Sequence, residues 1–160
     1  MTTITRRYRF SAGHRLHSPA LSEAENAALY GKCNNPFGHG HDYVLEVTAE
    51  GGVDSSTGLI LPLPALDRLV EEKVLQLFAS RNINLDVPQF ATLVPTTENV
   101  ALVIADLLEE HWNPYLGATR ARLHRVYLQE TDRNAFEVLL SARAKNPARV
   151  QQLETANIHA

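Results

Sequence analysis

One segment of the sequence joins a strand pattern to a histidine pair, and it reads His39-Gly40-His41-Asp42-Tyr43-Val44-Leu45-Glu46-Val47-Thr48-Ala49. Aromatic and β-branched residues are frequent after the histidines, which predicts a strand that begins at residue 41 or 42 and ends at residue 49. In extended backbone, residues two apart point to the same face, so His39 and His41 can converge on one ion. The segment therefore predicts a strand with a candidate metal site at its start.

A second strand pattern lies upstream, where apolar and polar residues alternate over residues 4–12. If the two strands pair, His14 lies near His39 and His41 and supplies a third imidazole. Three neutral imidazoles suit Zn²⁺ and leave its fourth tetrahedral position open, which is typical of a catalytic zinc site rather than a structural one. His17 in the same loop is a competing ligand, and an isolated His-x-His pair also occurs without any metal.

Downstream of these strands the apolar residues recur at helical spacing. The pattern predicts a helix over residues 65–78 and a second helix that is capped by Thr96 or Thr97 and ends before Pro114. A short helix is predicted over 22–29, and two more strands near 118–129 and 135–141, with a turn over 131–134 between them. The order ββααββ predicts an α+β fold, a four-stranded antiparallel sheet with two helices on one face.

The composition predicts a single domain in a reducing compartment. The chain has 160 residues, a formal net charge of −3 and one cysteine. We place the domain over residues 1–145 and a C-terminal tail over 146–160. The mild acidity argues against binding to nucleic acid or to anionic membranes, and no apolar run is long enough to cross a bilayer. We therefore expect a cytoplasmic protein.

The single cysteine, Cys33, lies in a loop six residues before His39. Lys32 and a nearby zinc ion would both favour its thiolate, which would suit it as a base or a nucleophile. A lone cysteine is also commonly a small buried apolar residue. The flanking Gly, Asn and Pro residues place Cys33 outside the apolar elements and favour the functional interpretation.

Five separate motifs give this sequence its resemblance to a known family. They are Phe10-Ser11-Ala12-Gly13-His14-Arg15-Leu16, the block from Tyr30 to Tyr43, Leu85-Asp86-Val87-Pro88, Thr96-Thr97-Glu98-Asn99 and Glu130-Thr131-Asp132. In this order they resemble the 6-pyruvoyltetrahydropterin synthase family, which also includes the 6-carboxytetrahydropterin synthases. The resemblance extends over residues 8–132, and the Cys-x₅-His-Gly-His block is its most specific part.

The resemblance implies the tunnelling fold, in which ββααββ subunits associate into a barrel, commonly as a hexamer built from two trimers. It also implies a site. By resemblance, the zinc ligands are His14, His39 and His41, the catalytic cysteine is Cys33, the carboxylate that anchors the pterin ring is Glu130, and Thr97 and Glu98 lie near the pterin pocket. Glu130 could instead close a turn, and Thr97 and Glu98 could merely cap a helix.

The implied activity is that of a zinc-dependent lyase acting on 7,8-dihydroneopterin triphosphate with elimination of triphosphate. Zinc would act as a Lewis acid on the substrate hydroxyls, and a thiolate would move protons. A closed structural zinc site is disfavoured because it would need a fourth protein ligand. Possible contacts to the triphosphate, each of which could equally be a surface charge, are Arg7, Arg9, Arg15 and Lys32.

The sequence departs from the family at one functional position. Family synthases usually carry an Asp-His pair before the Asp-Val-Pro motif, and here Ala79 and Ser80 stand in those places. A serine hydroxyl does not titrate near neutral pH, so it cannot replace a relay histidine. The alternatives are therefore a related change in the pterin side chain, like that of a 6-carboxytetrahydropterin synthase, aldolase or epimerase, or pterin binding without catalysis.

Overall fold

The computed structural model describes residues 2–142, and the predicted domain boundary and tail after residue 145 lie outside this range. In chain order the elements are β1 (Thr2–His14), α1 (Glu23–Tyr30), β2 (His39–Gly51), α2 (Leu63–Val70), α3 (Gln76–Phe78), α4 (Ile83–Asp86), α5 (Thr97–Leu116), β3 (Arg122–Thr131) and β4 (Asn134–Leu139). The strands form one antiparallel sheet in the order β1-β2-β3-β4. The predicted α+β fold is confirmed.

The core lies between one face of this sheet and the helices. Along β2 the side chains of Tyr43, Leu45 and Val47 are fully buried, and their period of two places them on the same face. Leu45 is paired with Leu128 of β3, and Val47 with Val126. Burial of this apolar face is what fixes the register, because a slip of one residue would turn every core side chain toward the other face.

The helical segment after β2 differs in detail from the predicted single helix over 65–78. It begins at Leu63, and a π-helical turn over Glu71–Leu75 separates α2 from α3. Val70, Val74 and Phe78 are all fully buried and are spaced by four residues. Because an α-helix has 3.6 residues per turn, a spacing of four drifts around it, and one wider π-turn keeps the three side chains on the buried face.

Helix α5 continues through Pro114 to Leu116, so the prediction that Pro114 lies beyond its end was wrong. A proline in the last turn removes one backbone donor from the helix. The turn is held by burial of Trp112 and Leu116, and the Gly117 N–H donates to the Asn113 carbonyl at 2.8 Å. None of the described helices is both long and apolar enough to cross a bilayer.

The strand ends also differ from the predicted ones. β1 runs on past residue 12, and its Gly13 N–H donates to the Arg81 carbonyl at 2.9 Å, so the chain stays extended up to His14. β3 starts only at Arg122, and β4 is followed by a 3₁₀ turn over Leu140–Ala142. The extension of β1 matters for the site because it brings His14 into the ladder.

Polar contacts of Asp67 hold helix α2 against the sheet. The Asp67 carboxylate on α2 accepts from Arg6 Nε at 3.0 Å and from the Tyr8 hydroxyl at 2.8 Å. Both hydrogen bonds lower the pKa of Asp67, and the one from Arg6 lowers it most. The ionised carboxylate therefore fixes α2 over the first half of β1.

Candidate active site

Three histidines meet where β1 ends and β2 begins. His14 is paired with His39 in the β1–β2 ladder, and Ala12 is paired with His41. The ring centroid of His14 lies 4.9 Å from that of His39 and 5.0 Å from that of His41, and the rings are nearly perpendicular. One ligand atom from each of the three side chains lies within 4.8 Å of the others. The structure thus brings the three predicted metal ligands together.

The orientation of His14 suits a metal ligand. Its Nδ1 donates to the Pro95 carbonyl at 2.8 Å, which leaves the lone pair of Nε2 directed into the cluster. Nε2 is buried and has no hydrogen-bond partner in the described part of the chain. A buried nitrogen without a partner is costly, and a metal ion at the focus of the three rings would satisfy it.

The protonation state of the cluster also fits metal binding. Burial lowers the pKa of His14, and burial together with the charge of His41 lowers the pKa of His39. Both imidazoles are therefore neutral near pH 7. A neutral ring is what coordination requires, since a protonated nitrogen has no lone pair to offer.

Glu130 of β3 lies beside the histidines. Its Oε1 is 3.6 Å from His14 Nε2 and 3.8 Å from His41 Nε2, and its side chain is only 10% exposed. The Tyr43 hydroxyl donates to Oε1 at 3.4 Å, and the Asn134 side-chain amide donates to Oε2 at 2.9 Å. A carboxylate with so little contact with water is well placed to accept N–H groups from a ligand.

Sequence reasoning missed three groups that hold this site: the Pro95 carbonyl, Tyr43 and Asn134. Tyr43 carried a signal, because it stands two residues after His41 and so shares its strand face. Burial and the neighbouring Glu130 raise the pKa of Tyr43, so its hydroxyl remains a donor. Asn134 was part of a predicted turn, and nothing in the sequence pattern marked its side chain.

The structure treats the two predicted pocket residues of α5 differently. Thr97 is 3% exposed, and its Oγ1 accepts a hydrogen bond from the Asn134 amide at 2.9 Å. Thr96 caps the helix, and its Oγ1 accepts from the Asn99 N–H at 3.3 Å. Glu98 is exposed in the first helical turn. Thr97 is thus joined to Glu130 through Asn134, whereas Glu98 faces solvent.

Cys33 lies in a 3₁₀ turn over Gly31–Asn34, and its thiol is partly buried. Its carbonyl accepts from the Leu16 N–H at 2.8 Å, which fixes the turn against the chain that follows His14. Burial and the charge of Glu130 raise the pKa of the thiol. The chain alone therefore favours the protonated thiol over the predicted thiolate.

The four basic residues considered for the triphosphate are dispersed. Arg7 and Arg9 lie on the sheet face opposite to the histidines, and Arg7 pairs with Glu46 at 2.6 Å. Arg15 Nε donates to the Asn34 carbonyl at 3.1 Å, close to the Cys33 turn. Lys32 is exposed in that turn. Only the last two lie on the same side of the molecule as Cys33.

Ala79 and Ser80 follow α3 and run beside the end of β1. The Ser80 N–H donates to the Ser11 carbonyl at 2.7 Å. Ser80 is exposed and has a φ of 59°, in the left-handed region that non-glycine residues rarely adopt. It lines a surface pocket of about 390 Å³ together with Ser11, His41 and Asp42. The backbone thus presents residue 80 at a surface pocket that His41 also lines.

Comparisons with known proteins identify the family of the chain. The family model described as 6-pyruvoyl tetrahydropterin synthase matches residues 3–140. The chain is 45% identical over 131 residues to the 6-pyruvoyl tetrahydrobiopterin synthase of Homo sapiens, covering 82% of this chain and 86% of the human one. The solved structure of Caenorhabditis elegans 6-pyruvoyl tetrahydropterin synthase superposes with a TM-score of 0.77 at 38% identity, covering 86% of this chain and 94% of that one.

The fold and the comparisons therefore define a small α+β lyase with a histidine cluster that could bind a metal. The chain belongs to the 6-pyruvoyl tetrahydropterin synthase family, and the resemblance inferred from the five motifs is confirmed. The predicted tunnelling fold of the subunit is likewise confirmed. Its assembly into a barrel remains a prediction.

Proposed function

We propose that the chain is a zinc-dependent lyase that acts on 7,8-dihydroneopterin triphosphate and eliminates triphosphate. The observation that carries this proposal is the arrangement of three histidine ligand atoms within 4.8 Å of one another, with the Glu130 carboxylate 3.6 Å from one of them. An imidazole cluster next to a nearly buried carboxylate offers a metal site and an N–H acceptor in one pocket. Those are the two functions that a pterin with a hydroxylated side chain requires.

The zinc ligands in this proposal are His14, His39 and His41. Three imidazoles suit zinc better than calcium or magnesium, which prefer oxygen ligands. When bound, the ion would supply Lewis acidity toward the hydroxyl groups of the substrate side chain. The Pro95 carbonyl orients His14, so that its Nε2 stays directed at the site.

Glu130 and Thr97 recognise the pterin ring in this proposal. The edge of a pterin presents neighbouring N–H donors, and a carboxylate accepts such a pair with two charge-assisted hydrogen bonds. Tyr43 and Asn134 already donate to the two oxygens of Glu130, which sets the plane of the carboxylate. Thr97 Oγ1 accepts from Asn134, so its own hydrogen is free to donate to a ligand.

Cys33 moves the proton. Burial raises the pKa of its thiol, so the metal-free protein holds a proton at Sγ near pH 7. The thiol becomes an effective base only when a positive charge nearby favours the thiolate. As base, Sγ would take a proton from a side-chain carbon of the substrate. The electrons of that C–H bond would form a double bond to the neighbouring carbon, and the electrons of the broken C–O bond would leave with the triphosphate.

Ala79 and Ser80 support a second candidate, a pterin-binding protein without this activity. Neither side chain titrates near pH 7, so the proton relay that family synthases usually have at these positions is incomplete. A changed reaction at the pterin side chain, of the 6-carboxytetrahydropterin synthase, aldolase or epimerase kind, would require fewer proton transfers. Glu130 and the histidines would serve all of these functions equally.

We further propose a cytoplasmic homo-oligomer, a hexamer formed from two trimers. β1 and β4 are the edge strands of the sheet. Among residues 2–142 no strand pairs with their outer edges, apart from the backbone contacts of Ser11 and Gly13 with residues 80–82. Open edges of this length favour pairing with another copy. Sedimentation of the purified chain would test this assembly, and a monomer at micromolar concentration would contradict it.

The proposed activity is tested by incubating the zinc-loaded protein with 7,8-dihydroneopterin triphosphate. Release of triphosphate with a product lighter by that group is expected. Binding of the pterin without turnover would contradict the lyase and support the binding protein. Turnover with retention of the triphosphate would support the altered side-chain reaction.

A further inference from the structure

We infer that Asn134 is a positioning residue for Glu130, and that it determines how tightly the site holds a pterin. This inference rests on the proposed function, because Glu130 is taken as the acceptor for the ring. Asn134 begins β4, on the far side of a tight turn from Glu130. Its side-chain amide makes contacts to two other parts of the site.

The Asn134 amide connects a strand and a helix. Nδ2 donates to Glu130 Oε2 at 2.9 Å and to Thr97 Oγ1 at 2.9 Å. An amide nitrogen carries two hydrogens, so the two hydrogen bonds use both of them. The N-terminus of α5 and the end of β3 are thereby held in one geometry by a single side chain.

A break in the ladder between β3 and β4 makes this arrangement possible. Gln129 is paired with Ala135, but the next pair is Thr131 with Asn134, so Glu130 is the extra residue of a β-bulge. A bulge redirects the side chain at its position and is frequent next to functional sites. Here it brings Glu130 and Asn134 within hydrogen-bonding distance, because two residues of β3 oppose one residue of β4.

The two oxygens of Glu130 have different partners as a result. Asn134 holds Oε2, while Oε1 faces the Tyr43 hydroxyl and the histidine nitrogens. Without the amide, the one hydrogen bond left to the carboxylate among residues 2–142 would be that from the Tyr43 hydroxyl at 3.4 Å. Asn134 is itself exposed, so it lies at the mouth of the site and does not serve the core.

The test measures binding of neopterin, by quenching of its fluorescence, to zinc-loaded wild type and to Asn134→Ala. Loss of a hydrogen bond to a charged group is expected to raise the Kd about tenfold. Zinc content and the midpoint of thermal unfolding are expected to stay at the wild-type values. With substrate, KM is expected to rise by a similar factor and kcat to change less than threefold.

Three further variants test the contact with Thr97 and control for damage to the turn. Thr97→Ser retains both the acceptor of the amide and the hydroxyl offered to the pterin and is expected to bind neopterin like the wild type, whereas Thr97→Val removes both and is expected to bind it more weakly. Arg133→Ala alters the same turn at a side chain that makes no hydrogen bond or ion pair among the described residues, and serves as the matched control.

The outcomes distinguish this inference from the proposed function. If wild type binds neopterin and Asn134→Ala binds it equally well, the inference is wrong and the proposed function stands. If Asn134→Ala loses zinc or unfolds at a lower temperature, Asn134 is a structural residue and the inference is also wrong. If wild type binds no pterin, the proposed function itself fails.

Discussion

His14 and His39 face each other as partners in the β1–β2 ladder, and their imidazole centroids lie 4.9 Å apart. A cross-strand pair is held by backbone hydrogen bonds on both strands, so its side chains move little relative to each other. His41 joins them from the same face of β2. The three imidazoles are therefore positioned by the paired ends of β1 and β2, and Cys33 lies in the connection between these two strands.

Removal of one ligand is expected to remove the metal. His39→Ala leaves two imidazoles, and zinc bound per chain after dialysis should fall from near one to below about 0.1, since each coordinating ligand contributes strongly to affinity. Elemental analysis by mass spectrometry measures this directly. His17→Ala is the control, because His17 contacts Asn34 and Glu23 instead of the cluster. Loss of zinc from the control and not from His39→Ala would refute the assignment.

A glycine next to the site is expected to be intolerant of any side chain. Gly38 has a φ of 70°, and a Cβ there would lie 2.8 Å from the His14 carbonyl oxygen. Gly38→Ala should cost more than about 2 kcal/mol of unfolding free energy, of which the left-handed backbone accounts for about 1 kcal/mol. It should also weaken zinc binding, since the His14 backbone must shift.

Gly58 provides the matched control for this prediction. Its φ is 71°, and a Cβ there would meet no atom within 4 Å. Gly58→Ala should therefore cost only the backbone contribution of about 1 kcal/mol and leave zinc binding intact. Equal urea midpoints for the two variants would show that the contact with His14 is unimportant.

The sequence was sufficient for the histidine cluster but not for its surroundings. The alternation over residues 4–12 and 42–49 assigns each strand its buried face, and in the observed register His14 lies opposite His39. The contact of His14 with Pro95 joins residues 81 apart, which no local pattern can report. The hydrogen bond from Asn134 to Glu130 depends on a β-bulge. The π-turn over residues 71–75 gave no signal in the sequence, because the apolar residues keep a helical spacing through it. Each of these is a tertiary feature.

Restoring the missing relay pair is expected to raise the rate. The left-handed backbone at Ser80 accepts histidine, because His is among the residues enriched in that region. The double variant Ala79→Asp with Ser80→His should increase kcat at least about tenfold, within the range that positioned acid–base groups contribute. Steady-state assays with the triphosphate substrate measure this. Ser80→Ala should give no increase, and an unchanged rate in the double variant would show that proton relay is not limiting.

The turn after β2 is expected to contribute stability that depends on pH. Hydrogen bonds from Ser56 and Thr57 lower the pKa of Asp54 to about 2. A carboxylate with a lowered folded pKa stabilises the protein above its unfolded pKa of about 4, and that contribution is lost as the pH falls toward 2. The difference in unfolding free energy between wild type and Asp54→Ala should therefore be constant above pH 5 and shrink below pH 4. A difference that grows on acidification would contradict the assigned contacts.

Zinc-dependent catalysis is tested by the release of triphosphate from 7,8-dihydroneopterin triphosphate, measured for the zinc-loaded protein beside the metal-free protein. We predict that the zinc-loaded protein releases many equivalents of triphosphate per chain. The rate without zinc should be less than about a hundredth of the zinc-loaded rate. The rate of Cys33→Ala should fall by a comparable factor. Release at the same rate in the zinc-loaded and metal-free samples, or none in either while neopterin still binds, would contradict the account of this chain as a zinc-dependent lyase.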